Sequence, residues 1–191
     1  MEPQHQVRAG NPRHSGMPWL AGVLGLLVLG LAACAGDETP IAFCPAPVRV
    51  VDAGRLTKFQ GAGRDLTDVR YEVELTEIVV NCDVEENEVE AQVQIAFNVL
   101  SGPANQAGKA GFGYFMAVAK PGQVPLVREA FDVQVPFSGK ASRLVASEEL
   151  DIRFLLQPEE AAESYRIYVG LTLSAEELRY NRANRSAIGR P

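Results

Sequence analysis

The sequence predicts an all-β protein, an antiparallel two-sheet sandwich of about seven strands that ends in a short helix. From residue 48 onward, apolar and polar side chains alternate with a period of two, which is typical of strands with one buried and one solvated face. The connections between these segments are too short for crossover helices, and this favours antiparallel neighbours. A small β-barrel built from the same strands is the alternative fold.

The predicted strands follow one another at short intervals, separated by turn-forming residues. The longest uninterrupted alternation lies over 89–99. The segment before it, 69–80, alternates up to Leu75 and resumes in the opposite phase at Ile78, so we expect a β-bulge near residues 76–78. The remaining predicted strands lie over 48–53, 113–119, 131–137, 150–156 and 165–173.

A short helix is predicted after the last strand. Ser174 and Glu177 have the spacing of a capping box, in which the hydroxyl accepts a first-turn amide and the carboxylate accepts the amide of the cap residue. The pattern predicts a helix over 175–182, with Leu178 as its buried contact. The residues after it, 183–191, are rich in arginine and predict a basic disordered tail.

The segment 156–165 resembles the corner of fibronectin type III and immunoglobulin-like domains, in which a tyrosine hydroxyl bonds back to the preceding loop. It contains Pro158 and ends at Tyr165. The resemblance implies an immunoglobulin-like or fibronectin III-like sandwich. It also implies that the Tyr165 hydroxyl is hydrogen-bonded to the loop before it.

The N-terminal segment has the layout of a secretory signal. Two arginines precede a stretch of 16 uncharged residues, which is too short for a membrane-spanning helix and ends in Leu31, Ala32 and Ala33, directly before Cys34. This ending resembles the signal of bacterial lipoproteins, in which the cysteine becomes the first mature residue and carries acyl chains. The resemblance implies that residues 1–33 are removed and that Cys34 anchors the chain in a lipid bilayer. A simple cleaved signal and an uncleaved anchor are the alternatives.

The chain after this cysteine predicts where the protein resides. Residues 34–43 have no apolar period and predict a flexible tether between the bilayer and a domain over 44–182. Ala35 follows the cysteine, whereas an aspartate at that position retains such lipoproteins in the inner membrane. The resemblance therefore implies the outer membrane, with the domain facing the periplasm.

Two cysteines remain once Cys34 is acylated. Cys44 and Cys82 lie 38 residues apart in a chain that enters an oxidising space, so we expect a disulfide between them. A redox-active or metal-binding pair is the alternative, but it would need a closer spacing.

The composition of the exported chain excludes several functions. Removal of 33 of the 191 residues leaves 158 that contain no histidine, with 16 basic against 23 acidic residues. Without histidine, serine–histidine and cysteine–histidine nucleophiles and imidazole metal sites are excluded, and we expect no catalytic residue, metal site or cofactor. The acidic balance argues against nucleic acid as a partner. The alternative activity is a hydrolase of envelope polysaccharide that uses two carboxylates.

The segment 55–68 combines charges with glycines and is the candidate partner-binding loop. Glycine permits sharp turns, and long loops on rigid sandwiches often carry binding. The candidate binding residues are Arg55, Lys58, Arg64, Asp65 and Asp68. The alternative is a structural loop pinned by three apolar side chains, Leu56, Phe59 and Leu66.

Two stretches resemble the end segments of an uncharacterised family of alphaproteobacterial lipoproteins. They are residues 44–69, CPAPVRVVDAGRLTKFQGAGRDLTDV, and residues 169–182, VGLTLSAEELRYNR. The resemblance implies no activity. Together with the anchor, it favours a membrane-anchored binding or scaffold module of the cell envelope that has an envelope protein as its partner. The sequence sets no oligomeric state.

Overall fold

Eight strands and one helix make up residues 43–184, the part of the chain that the computed structural model describes. Three single 3-10 turns lie between them, at Val51–Ala53, Leu66–Asp68 and Ala162–Ser164. The strands are β1 (Ala46–Arg49), β2 (Arg55–Phe59), β3 (Val69–Glu85), β4 (Glu88–Ser101), β5 (Lys109–Ala119), β6 (Val127–Pro136), β7 (Arg143–Leu155) and β8 (Arg166–Thr172), and the helix is α1 (Ala175–Ala183).

The strands form two four-stranded sheets, in the orders β1-β8-β5-β6 and β2-β3-β4-β7. Only the β1–β8 pair is parallel; every other pair in these two sheets is antiparallel. Neither sheet closes on itself, so the predicted all-β sandwich is confirmed and the barrel alternative is wrong. It has eight strands where about seven were expected.

The predicted alternation produces the core between the sheets. On β4 the odd-numbered side chains from Val89 to Val99 are buried, while the intervening ones face outward. Phe97 packs against Phe112 and Tyr114 of the opposite sheet, with ring centroids 5.1 and 5.2 Å away. These aromatic contacts join the two sheets at the centre of the sandwich.

The predicted bulge is confirmed. Leu75 pairs with Phe97, but the next paired residue of β3 is Glu77, opposite Ala96. The extra residue shifts the phase of β3, so that Ile78 faces the core side as Leu75 does. Beyond the bulge, Ile78, Val80 and Val84 therefore pack against the core, while Val79 faces outward.

The sequence prediction was wrong at the start of the candidate loop. Residues Arg55–Phe59 form strand β2 and pair with β3, so the true loop covers only residues 60–68. The strand was missed because its apolar side chains, Leu56 and Phe59, are three residues apart and give no period of two. The first predicted strand, 48–53, was displaced, because β1 lies at Ala46–Arg49 and a 3-10 turn follows at Val51–Ala53.

The disulfide between Cys44 and Cys82 is present, with the two Cα atoms 5.6 Å apart. It ties the residues before β1 to the second half of β3. The Tyr165 hydroxyl also bonds back to the preceding loop, as the corner resemblance implied, with the Glu160 carboxylate as its acceptor.

Several predictions fall on residues outside 43–184. These are the signal over 1–33 with Leu31, Ala32 and Ala33, the acylated Cys34, most of the tether and most of the basic tail. The helix itself runs to Ala183. Between residues 43 and 184, no helix is long and apolar enough to cross a membrane.

Candidate binding site

Helix α1 packs on the first residues of β2 and on the 3-10 turn before it. Asn181 is the buried residue of this helix, only 4% exposed, and its side-chain amide donates to the backbone carbonyls of Asp52 at 2.9 Å and Arg55 at 2.6 Å. Arg182 adds an ion pair to Asp52, with Nε 3.0 Å from Oδ2. The predicted contact, Leu178, is only half-buried, so the helix is held mainly by polar contacts at this end.

The predicted capping box starts this helix. The Glu177 amide donates to the Ser174 hydroxyl at 3.2 Å, and the Ser174 amide donates to the Glu177 carboxylate at 2.8 Å. The same carboxylate accepts a hydrogen bond from Lys58 Nζ of β2 at 2.9 Å. Burial pushes the pKa of Glu177 up, but the hydrogen bonds from Lys58 and Ser174 outweigh it, so that the pKa lies below its usual value.

The loop over 60–68 is clamped to the helix by Arg64. Its guanidinium forms an ion pair with Glu176 and lies over the ring of Phe59, 5.0 Å from the centroid. Phe59 in turn packs edge-on against Tyr180 of the helix, with centroids 5.2 Å apart. These contacts surround a small cleft of about 160 Å³ between the loop, β2 and α1.

The structure distributes the five predicted binding residues over two elements. Arg55 and Lys58 lie on β2 and pair with Glu74 and Glu177, whereas Arg64, Asp65 and Asp68 lie in the loop. In the loop, the Asp65 amide donates to the Asp68 carboxylate at 3.1 Å. Most of these charged side chains therefore form contacts within the domain. Two of them, Lys58 and Arg64, pair with carboxylates of helix α1, and the sequence analysis did not predict this helix as their partner.

One apolar side chain of the loop stays in solvent. Leu66 is 84% exposed, whereas Leu56 is buried in the core and Phe59 packs on the helix. The alternative of a loop pinned by all three side chains is therefore wrong for Leu66. The Asp68 carboxylate lies against Gly63, where a Cβ would be 2.1 Å from its Oδ2, so the missing side chain at Gly63 leaves room for this carboxylate.

A second and larger cleft, of about 570 Å³, lies between α1, the turn at Val51–Ala53 and the outer face of the β1-β8-β5-β6 sheet. We call it the apolar groove, because most of the residues that line it are aliphatic or aromatic. They include Val51, Phe115, Leu173 and Leu178. Two arginines, Arg128 and Arg182, also line it.

The carboxylates with shifted pKa values do not form a catalytic pair. The hydrogen bonds from Lys120 and then Tyr165 lower the pKa of Glu160, as Lys58 does for Glu177. A general acid at neutral pH needs a raised carboxyl pKa instead. Within residues 43–184, no group of three or more acidic, cysteine or histidine side chains is placed to hold a metal ion.

Comparisons of this chain with family models, with curated proteins and with solved structures find no match. The loop over 60–68 and the apolar groove both border helix α1.

Proposed function

We propose that this protein is a lipid-anchored binding module of the bacterial cell envelope. In this proposal, Cys34 holds it at the outer membrane and the sandwich faces the periplasm. The resemblance of residues 31–34 to a lipoprotein signal supports the anchor. The Cys44–Cys82 disulfide supports an oxidising compartment, because such bonds are rare in reducing ones.

The loop over 60–68 is the proposed surface for an envelope protein partner. The observation that carries this proposal is Leu66, a large apolar side chain 84% exposed on a loop that Arg64 fixes to the helix. A loop held in one shape loses less conformational entropy on binding than a free one. An exposed leucine on such a loop can supply buried apolar area when a partner covers it. The pairing of Lys58 with Glu177 adds to this rigidity.

A binding role is favoured over the carboxylate hydrolase. A glycosidase of that class needs one carboxylic acid that stays protonated near neutral pH. Within residues 43–184, the carboxylates with shifted pKa values are Glu160 and Glu177, and both are shifted in the opposite direction. Each of them already has a lysine partner inside the domain.

The anchor is tested by the Cys34→Ser variant. We expect the wild-type protein in the membrane pellet with an acylated N-terminal cysteine by mass spectrometry, and we expect Cys34→Ser to lose both the acyl chains and normal processing. The double variant Cys44→Ser, Cys82→Ser is the matched control and should keep its acyl chains. Normal membrane retention and processing of Cys34→Ser would contradict the proposal.

The partner surface is tested by a photo-crosslinking residue at position 66 in living cells. We expect a discrete crosslinked protein from this site and none from position 145. Val145 is 64% exposed and lies on β7, the edge strand at the opposite end of the sheet from β2. The crosslink should weaken in Arg64→Ala, since that change frees the loop. Equal crosslinking from positions 66 and 145, or none from either, would contradict the proposal.

A further inference from the structure

Two residues that line the apolar groove, Phe115 and Ala53, pack closely against Gly170 of β8, which has no side chain. A Cβ on Gly170 would lie 3.0 Å from the Phe115 ring and 3.1 Å from the Cβ of Ala53, so the glycine lets both side chains lie close over β8. Leu173 and Leu178 line the groove as well, and Val51 is 72% exposed there. The volume of about 570 Å³ is in the range of small-molecule sites.

Two arginines, Arg128 and Arg182, and one aspartate, Asp52, line the groove, so its lining carries a net positive charge although the chain is acidic. The Arg128 guanidinium lies over the Phe115 ring, 5.4 Å from its centroid, and forms no ion pair with any residue of the described part of the chain. Arg182, which also lines the groove, is paired with Asp52. An arginine held over an apolar floor is a ready partner for a carboxylate.

We propose that the apolar groove binds a single-chain anionic amphiphile, a free long-chain fatty acid. The acyl chain lies along Phe115, Leu173 and Leu178, and its carboxylate pairs with Arg128. The Arg128 guanidinium can bind one carboxylate head group, and the single apolar groove beside it can hold one acyl chain. This ligand goes beyond the proposed protein partner, because the residues that bind it are separate from the loop over 60–68.

The proposal is tested with the full chain in its native membranes and a photoactivatable 16-carbon fatty acid. We expect labelling that maps by mass spectrometry to peptides containing Phe115 or Leu173. An excess of palmitate should remove it, whereas hexadecanol, which has the same chain without the charge, should not. Arg128→Glu should reduce labelling at least tenfold, and Arg143→Glu, the same change at an exposed position on β7, should leave it unchanged.

Other results would overturn the proposal. These are labelling outside the groove, equal competition by the alcohol, or full labelling of Arg128→Glu. Labelling of the groove by a photoactivatable phosphatidylglycerol and not by the fatty acid would assign it to bilayer lipid instead. If Arg128→Glu fails to accumulate, Arg128→Gln with Arg143→Gln as control gives the same comparison. Membrane retention is measured in the same preparation, so failure of the lipid anchor is distinguishable from failure of the groove.

Discussion

The side-chain amide of Asn181 donates to the backbone carbonyl of Arg55 at 2.6 Å, across 126 residues of sequence. This hydrogen bond joins the end of helix α1 to the first residue of β2, which is an edge strand of its sheet. An uncovered edge strand presents unpaired backbone groups that can pair with another chain. The helix therefore protects this edge, and it also holds one wall of the cleft and one wall of the apolar groove.

Replacing this buried amide should loosen the helix. We expect Asn181→Ala to lower the free energy of unfolding by about 1–3 kcal/mol, because it removes two hydrogen bonds from a buried position. Urea denaturation measures the change. Asn81→Ala removes the same group from an exposed position on β3 and should cost about 0.5 kcal/mol or less. Equal losses in the two variants would contradict the role given to Asn181.

The disulfide should account for a large part of the stability. It closes a loop of 38 residues, and the chain-entropy model gives about 4 kcal/mol for a loop of that length. We therefore expect reductant to lower the melting temperature of the wild-type protein. The double variant Cys44→Ala, Cys82→Ala should already melt at the lower temperature and should not respond to reductant. A wild-type melting temperature that reductant leaves unchanged would show that the bond contributes little.

The stability should depend on pH through Glu177. Because its pKa is lower in the folded chain than the usual 4.5, the ionised carboxylate stabilises the fold above about pH 4.5, and this contribution is lost as the pH falls through the folded pKa. Glu177→Gln should cost about 0.5–1 kcal/mol at pH 7, as a partly exposed ion pair does. The difference from wild type should shrink in urea titrations as the pH falls below about 4.5.

The matched control for this experiment is Glu176→Gln. Glu176 pairs with Arg64, but its side chain is 63% exposed, so its loss should cost less at pH 7. A difference between wild type and Glu177→Gln that stays constant from pH 7 to pH 3 would contradict the link between this carboxylate and stability.

The fold could be predicted from the sequence where burial imposes a local period. Alternation over 89–99 identified β4, and the change of phase after Leu75 located the bulge. The edge strand β2 could not be found in this way, since its pairing with β3 and its cover by α1 come from distant parts of the chain. The first half of β7 also alternates but was missed. An acidic residue, Glu148, occupies one of its core-side positions and interrupts the apolar pattern.

The site was predictable only in its local part. The capping box of Ser174 and Glu177 depends on residues three apart, and it was predicted correctly. The pairing of Lys58 with Glu177 joins residues 119 apart, and no local pattern indicates it. The apolar groove likewise needs β5, β6, β8 and α1 to be assembled first, so its residues have no signal in the sequence.

Two buried tyrosine hydroxyls should respond differently to removal. Burial, with the Glu160 carboxylate second, raises the pKa of Tyr165 to about 12, and the hydroxyl donates to Glu160, which also binds Lys120. Burial also raises the pKa of Tyr114 to about 12, with the charge of nearby Glu148 adding to it, but this hydroxyl makes no hydrogen bond of normal geometry to the described residues.

We expect Tyr165→Phe to cost about 1–3 kcal/mol, because it breaks a hydrogen bond to a charged group. Tyr114→Phe should be neutral or stabilising, because it removes a buried hydroxyl that makes no hydrogen bond of normal geometry to the described residues and lies beside the Glu148 carboxylate. Urea denaturation compares the two variants, and absorbance titration should show one fewer phenol ionising near pH 12 in each. A larger loss of stability in Tyr114→Phe than in Tyr165→Phe would show that the corner bond is not the one that matters, and would place the important hydroxyl between the sheets.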